Sequence, residues 1–265
     1  MPALTSPASL RESGRAPVAD LFYSFQGEGV SFGRRALFVR LMTCNLTCGY
    51  AALPRTADTP ADGTMVCDTE YTWNAASHDL GAARTLTAGD IWDEVLQLDP
   101  ATNDATMEPV DLVVITGGEP LLHRGVVTQL AVRAQASGRA VEIETNATIA
   151  PDDALLGAGV YFNAGLKLES SAVPRGKRIK PNVIAQLQAS GRARWKFVVT
   201  SRADVQEVAA LQHEFGLTQV WLSPEGTRAD VVIERMRWMA DVALAHGWHL
   251  TSRAHVLIWG DERGK

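Results

Sequence analysis

Apolar residues recur along this chain in two alternating rhythms, short strand-like runs and longer stretches with helical spacing. Leu37-Phe38-Val39, continued at Leu41 after Arg40, makes 36–43 a strand. Residues 87–98 carry a helical pattern, with Thr87 placed three residues ahead of Asp90 as in a capping box. The run from Val110 to Ile115, broken only by Asp111, reads as a buried strand that ends in Thr116-Gly117-Gly118-Glu119-Pro120. A helix follows over 122–137, with Leu122, Val126, Val127, Leu130 and Val132 as its apolar positions and Gly138 as its stop. Further strands fall at 140–145, 160–163, 195–200 and 219–223, and helices at 202–215 and 227–246 separate the later ones. Strands that alternate with helices pair in parallel through right-handed crossovers. The pattern therefore predicts an α/β fold, an open partial (β/α) barrel with flanking helices. Ligands gather at the carboxyl ends of the strands in such a barrel, where the segments 43–48, 116–120 and 144–148 fall.

At 265 residues, 46% of them hydrophobic, the chain can bury a substantial core as one domain spanning 1–265. A net charge of −5 without a long basic run speaks against a nucleic-acid partner. No stretch approaches the ~18 consecutive apolar residues of a membrane span. Residues 1–19 lack an apolar core of signal-peptide length and are expected to be flexible. The expectation is a cytoplasmic protein with no membrane association, in a compartment that keeps cysteines reduced.

Its three cysteines, Cys44, Cys48 and Cys67, all lie within residues 44–67. That segment is rich in Gly, Asp, Thr and Pro, which argues against three buried small hydrophobes. Three thiolates on a [4Fe–4S] cluster leave one iron open to a small molecule, whereas a purely structural cluster wants a fourth ligand. Zinc is the rival, because Cys-x-x-x-Cys and a distant third cysteine could take His78 as the fourth ligand. The TGGEP segment delivers bare backbone and one carboxylate to the sheet edge, or else makes only a tight strand-to-helix turn. Glu144 and Asn146 could cap a turn, and Lys167 reads by residue type as a solvated loop lysine. Arg40, in an otherwise apolar strand, either faces outward or reaches a carboxylate, for which its planar fork is suited.

Cysteines followed by GGE are far more specific together than apart. The segments FYSFQGEGVSFGRRALFVRLMTCNLTC (22–48), CDTEYTW (67–73), TGGEPLL (116–122), ETNAT (144–148), KFVV (196–199), SPEG (223–226) and RAHVLIWGDERGK (253–265) resemble the radical S-adenosylmethionine (SAM) enzymes. Within them the resemblance is to the 7-carboxy-7-deazaguanine synthase family of the queuosine and deazapurine pathway, and it runs nearly end to end. QGEG, FVR, the CNL start and CDT-x-YTW are specific to that family, whereas GGEP alone marks only the superfamily.

The resemblance implies an open partial barrel of the radical SAM type. It implies Cys44, Cys48 and Cys67 as ligands of a [4Fe–4S] cluster. SAM contacts map to Asp68, Gly117, Gly118, Glu119, Lys167, Ser223, Pro224 and Glu225. Where the family commonly reads SPK this chain has Gly165-Leu166-Lys167, so only the lysine is kept. Phe25, Gln26, Gly27, Arg40 and Thr116 map to substrate positions, and Thr69 to the threonine that binds Mg²⁺. One departure stands out. The superfamily pattern is Cys-x3-Cys-x2-Cys, but Ala51 sits where the third cysteine would fall and the triad closes only at Cys67. Residues 51–66 read as an inserted loop, whose closure cost grows slowly with length. The aromatic residue that normally precedes the third cysteine is replaced by Val66.

The reaction implied is conversion of 6-carboxy-5,6,7,8-tetrahydropterin, a small pterin substrate, to 7-carboxy-7-deazaguanine with release of ammonia. A reducing partner such as flavodoxin or ferredoxin and a homodimeric state are implied with it. Two rivals come from other classes. A radical SAM activating enzyme acting on a partner protein leaves QGEG and CDTEYTW unexplained, and a non-enzymatic zinc module would use the cysteines with His78.

Overall fold

The computed structural model describes residues 14–49, 67–75, 78–80, 83–260 and 262–265. Nine strands form one sheet in the order β3-β1-β2-β4-β5-β6-β7-β8-β9. They are β1 (Arg15–Phe25), β2 (Arg35–Leu41), β3 (Arg84–Thr87), β4 (Leu112–Gly117), β5 (Ala140–Thr145), β6 (Tyr161–Ala164), β7 (Ala193–Val199), β8 (Val220–Pro224) and β9 (His249–Leu250). From β2 onward every pairing is parallel, while β1 runs antiparallel to both β2 and β3. The main helices are α1 (Ala88–Gln97), α2 (Arg124–Ala136), α3 (Pro181–Ala189), α4 (Arg202–Phe215), α5 (Ala229–His246) and α6 (Ala254–Trp259).

The expected parallel α/β architecture is present, with additions at its edges. Residues 15–19, expected to be flexible, instead begin β1. Ala16 and Val18 alternate into the core there, and partners on two sides satisfy the backbone. The short β3 and β9 and the helices α3 and α6 also lie outside the elements expected from periodicity. The inserted segment 51–66 falls outside the described residues.

Local chemistry sets the helix ends. Asp90 N donates to Thr87 Oγ1 at 3.1 Å and Thr87 N to Asp90 Oδ2 at 3.1 Å, the reciprocal capping box expected at α1. The helix expected over 122–137 starts two residues late. A 3-10 turn, Pro120–His123, precedes it because the Glu119 carboxylate accepts from Leu121 N at 3.0 Å and caps that turn first.

Alternation along the strands divides the side chains between two faces. Leu37, Val39 and Leu41 of β2, Val113 and Ile115 of β4, Val141 and Ile143 of β5 and Trp195 and Phe197 of β7 enter the main core, which also contains Ile91, Leu130, Ile184 and Leu211 of the helices. Each such side chain contributes ~1.5–3 kcal/mol of burial. The other face carries Phe38 then Arg40, Val114 then Thr116, and Glu142 then Glu144. It begins apolar, with Phe22 stacked on Phe38 at 4.6 Å, and turns polar toward the carboxyl ends of the strands. That gradient places a polar cavity at the end where parallel α/β sheets bind ligands.

Candidate functional site

A cavity of about 380 Å³ opens over the carboxyl ends of the parallel strands, and Cys44, Cys48 and Cys67 all line it. The chain reaches Cys44 through a sharp turn. Met42 N donates to Pro17 O at 2.8 Å, and Thr43 then takes a left-handed conformation, φ 73°. A non-glycine residue pays about 1–2 kcal/mol for that backbone. Leu46 N donates to the Cys44 sulfur at 3.4 Å, and Cys48 is buried against Leu46 and Val173. Trp73, from the CDTEYTW segment, donates its indole N–H to the Cys67 sulfur at 3.3 Å.

All three cysteines are free thiols. Burial pushes the Cys44 thiol up to about 12 and raises Cys48 as well, so a bound metal is needed to keep them ionised. Lys167 faces the same sulfurs. Burial works to lower it, but Cys48, Cys67 and Asp68 together raise it, so it is a paired cation and not a solvated loop lysine. The donor set fits a [4Fe–4S] cluster: three soft thiolates, an indole donor and a compensating cation around one cavity. His78 lies elsewhere, with Nε2 3.8 Å from Glu70 Oε1 and its ring edge-on to Tyr71. It does not complete a zinc set. Among the described residues no group of three or more His, Cys, Asp or Glu side chains is placed to hold a single metal ion.

The double glycine has a physical reason of its own. A Cβ on Gly117 would collide with the Leu41 carbonyl, and one on Gly118 with the Thr43 carbonyl. Without side chains the end of β4 presses against the end of β2, where Gly118 N donates to Leu41 O at 3.3 Å and Glu119 N to Thr43 O at 2.8 Å. Both glycines also line the cavity. Tight backbone and ligand access are served by the same two residues.

Glu119 behaves differently from its neighbours. Its carboxylate is wholly buried, accepts from Leu121 N, from Thr145 Oγ1 at 2.8 Å and from Asn146 N at 2.7 Å, and does not line the cavity. The side chain braces β4 against β5. Glu119→Gln, which turns an N–H₂ toward these donors, is expected to cost about 2 kcal/mol in chemical denaturation. Burial also pushes the Glu119 carboxyl up to about 7 from its ordinary 4.5, so its stabilising contribution is full below pH 4.5 and lost as pH rises through 7. The glutamine variant should lack that slope; an unchanged pH–stability curve would contradict the raised carboxyl, while the brace is tested by the loss in denaturation.

Ser223 and Pro224, at the end of β8, do not line the cavity, and the buried Ser223 hydroxyl has no hydrogen-bond partner. Glu225 lines it, with its carboxylate paired to Arg235. Asp68 lines it as well and is gripped by Arg253.

The expected substrate positions Phe25, Gln26, Gly27, Arg40 and Thr116 converge on the same cavity. Gln26 Nε2 donates to Glu144 Oε1 at 3.3 Å, and Thr116 Oγ1 to Glu144 Oε2 at 3.1 Å. Gly27 leaves room for the His255 ring, which a Cβ would strike. Arg40 lines the cavity, with its guanidinium over the Phe22 ring at 5.6 Å and its buried Nε 3.9 Å from Asp20 Oδ2, without a hydrogen-bond partner among the described residues. A planar guanidinium fork at a cavity wall suits a ligand carboxylate. Asn146 does cap a turn, with its Oδ1 accepting from Thr148 N at 3.0 Å. Both Asn146 and Glu144 line the cavity.

Sequence reasoning quoted the QGEG, KFVV and RAHVL segments but assigned no role to Glu28, Lys196, Arg253 or His255 within them. Glu28 accepts from Lys196 Nζ at 2.6 Å and from Arg253 Nε at 2.9 Å, with His255 Nε2 at 4.0 Å. Burial alone would raise the Glu28 carboxyl, but Lys196, Arg253 and His255 hold it well below the ordinary carboxylate range. The one sequence signal was a lysine inside the apolar strand 193–199, at an alternation position that faces the cavity.

No protein-family profile matches the chain. It is 31% identical to the 7-carboxy-7-deazaguanine synthase of Pyrobaculum aerophilum over 95% of this chain and 98% of that protein. It is 32% identical to the synthase of Halobacterium salinarum over 92% and 91% of the two chains. Among solved structures, QueE from Escherichia coli superposes with a TM-score of 0.62 at 20% identity, covering 95% of this chain and 99% of that one. Streptococcus suis SuiB bound to S-adenosylmethionine superposes at 0.52 and 14% identity, covering 82% and 50%. The two structures speak to the fold; the full-length sequence likeness, carried on a cavity built from the cysteine, QGEG and GGEP segments, places the chain in the 7-carboxy-7-deazaguanine synthase family.

Proposed function

We infer that the chain converts 6-carboxy-5,6,7,8-tetrahydropterin to 7-carboxy-7-deazaguanine with release of ammonia. The observation that carries this reading is the meeting of two residue sets in one cavity: Cys44, Cys48 and Cys67, and Gln26, Arg40, Thr116 and Glu144. Cys44, Cys48 and Cys67 would hold a [4Fe–4S] cluster, which once reduced would supply the electron for cleavage of SAM that starts the radical reaction.

The protein's own contribution is binding and orientation. Arg40 lines the cavity, and its planar guanidinium suits the substrate carboxylate. Glu144 accepts from Gln26 and Thr116, with Lys196 Nζ 3.7 Å from Oε1. Such an acceptor suits the N–H groups of a pterin ring. Gly117 and Gly118 bring bare backbone to the cavity where SAM would bind, and Asp68, Lys167 and Glu225 line the same space. Arg263, Gly264 and Lys265 also line the cavity, and Arg263 lies over the Tyr71 ring at 4.0 Å. A low-potential carrier of the flavodoxin or ferredoxin type would deliver the electron, and the family resemblance favours a homodimer in the cytoplasm. No helix among the described residues is long and apolar enough to cross a membrane.

Anaerobic reconstitution with iron and sulfide, followed by SAM, dithionite and the tetrahydropterin, tests the reading. Equal loss of pterin and gain of 7-carboxy-7-deazaguanine and ammonia is expected. Formation of 5′-deoxyadenosine with the pterin untouched would instead favour an activating enzyme.

Thr69 is the proposed Mg²⁺ ligand. It lines the cavity, and its Oγ1 lies 3.6 Å from the Cys67 sulfur, while its carbonyl accepts from Thr72. A hydroxyl oxygen suits Mg²⁺, which keeps its remaining positions for substrate and water. Thr69→Ala is expected to lower turnover and weaken the response to added Mg²⁺ with SAM affinity nearly unchanged, and Thr69→Ser to be mild. Identical Mg²⁺ titrations in wild type and both variants would remove the metal role and leave Thr69 as a turn residue whose side chain makes no cap.

A further inference from the structure

His123 follows the GGEP segment and is almost completely buried. Its Nε2 lies 3.0 Å from the carbonyl oxygen of Met42 and 2.9 Å from Thr43 Oγ1, while Nδ1 has no hydrogen-bond partner among the described residues. A carbonyl can only accept, so Nε2 carries the ring proton and Thr43 Oγ1 accepts from the same N–H. Burial also pushes the imidazole below its ordinary value, which keeps the ring neutral with this single proton. The residue it touches is the left-handed Thr43, immediately before Cys44. Thr43 is held on two further sides, its N–H donating to Thr72 O at 2.7 Å and its carbonyl accepting from Glu119 N. Those two contacts use backbone only and would form with any residue at 43. The His123 contact alone depends on the hydroxyl.

We propose that His123 is a positioning residue for the metal site, pinning Met42 and Thr43 so that the chain enters Cys44 from a left-handed turn that a threonine would otherwise avoid. The proposal rests on the reading of Cys44, Cys48 and Cys67 as cluster ligands. His123 touches no reacting group itself. A glycine at position 43 adopts positive φ without the steric cost, so it would not need the imidazole.

The test is a double-mutant cycle on the reconstituted full-length protein, reading the rate at which EDTA strips iron and the electron paramagnetic resonance of the reduced cluster with and without SAM. His123→Phe is expected to speed iron loss about tenfold in the Thr43 background and to broaden the spectrum. In the Thr43→Gly background, where only the contact to the Met42 carbonyl is left to lose, the same change should have a clearly smaller effect, about threefold or less. His123→Gln, which keeps a donor near the Nε2 position, should restore most of the wild-type rate. Equal acceleration in both backgrounds would overturn the proposal and make His123 a packing residue. Should the phenylalanine variant fail to fold, Thr43→Ser against Thr43→Val decides: serine close to wild type and valine fast supports the brace, and equal rates sink it. A wild-type chain that takes up no cluster would overturn the ligand reading and this role together. Coupling in the melting of the iron-free proteins would then show that the His123–Thr43 contact itself is real, so the two failures are distinguishable.

Discussion

Cys48→Ala abolishes cluster assembly and SAM cleavage together. The chain contains three cysteines, so no other thiol can take the vacant position. Two thiolates would leave two irons open and the cluster labile. The fold should survive, because Cys48 packs in a small apolar contact with Leu46 and Val173 and alanine keeps most of that surface at a cost of ~1 kcal/mol. The expected result is a folded protein without the iron–sulfur absorbance and without 5′-deoxyadenosine formation. A full [4Fe–4S] spectrum with retained SAM cleavage in this variant would sink the ligand assignment.

Lys196→Met carries the second largest effect. Lys196 bridges Glu28 at 2.6 Å and Glu144 at 3.7 Å in a largely buried setting, so its removal leaves two carboxylates with one fewer cation. Taking away one partner of a buried pair costs about 3–5 kcal/mol, because an uncompensated charge is left behind. Arg253 still holds Glu28, which places the expectation near ~3 kcal/mol, together with a sharp loss of turnover as Glu144 shifts. The pH dependence follows in sign. Glu28 is depressed in the folded state, so its contribution is present above the unfolded value of about 4.3 and is lost as pH falls below it. Losing Lys196 raises Glu28 toward the ordinary range, so acid unfolding should begin at higher pH. The double variant Lys196→Met with Glu28→Gln should recover part of the loss in urea titration. No recovery would show that the two charges are not coupled.

The features legible in the sequence were those whose cause lies within a few residues. The parallel α/β order followed from apolar periodicity, and the cap of α1 from Thr87 and Asp90 three positions apart. The cysteine and GGEP segments stand at the carboxyl ends of parallel strands, which a barrel collects at one face, whereas QGEG follows the antiparallel β1 and was legible only through the family resemblance. Lys167, by contrast, reads as a solvated lysine by residue type, and only the fold sets it against three sulfurs. Glu119 sits in a ligand-binding motif, yet its carboxylate is consumed by donors from β5 and the turn after it.

The least legible part was the buried charge network. Lys196 meets Glu28 across 168 residues of sequence, Arg253 meets Asp68 across 185 and Glu28 across 225. Hydrophobic alternation says which face a side chain takes but not which distant strand or loop closes over it. The sequence alone therefore determined the elements, their parallel order and the set of motifs at the strand ends. Tertiary structure decided which of those residues bind, which brace and which neutralise one another. The reason is physical: propensity and capping act along the chain, whereas a buried charge is tolerated only through partners that the folded sheet brings together.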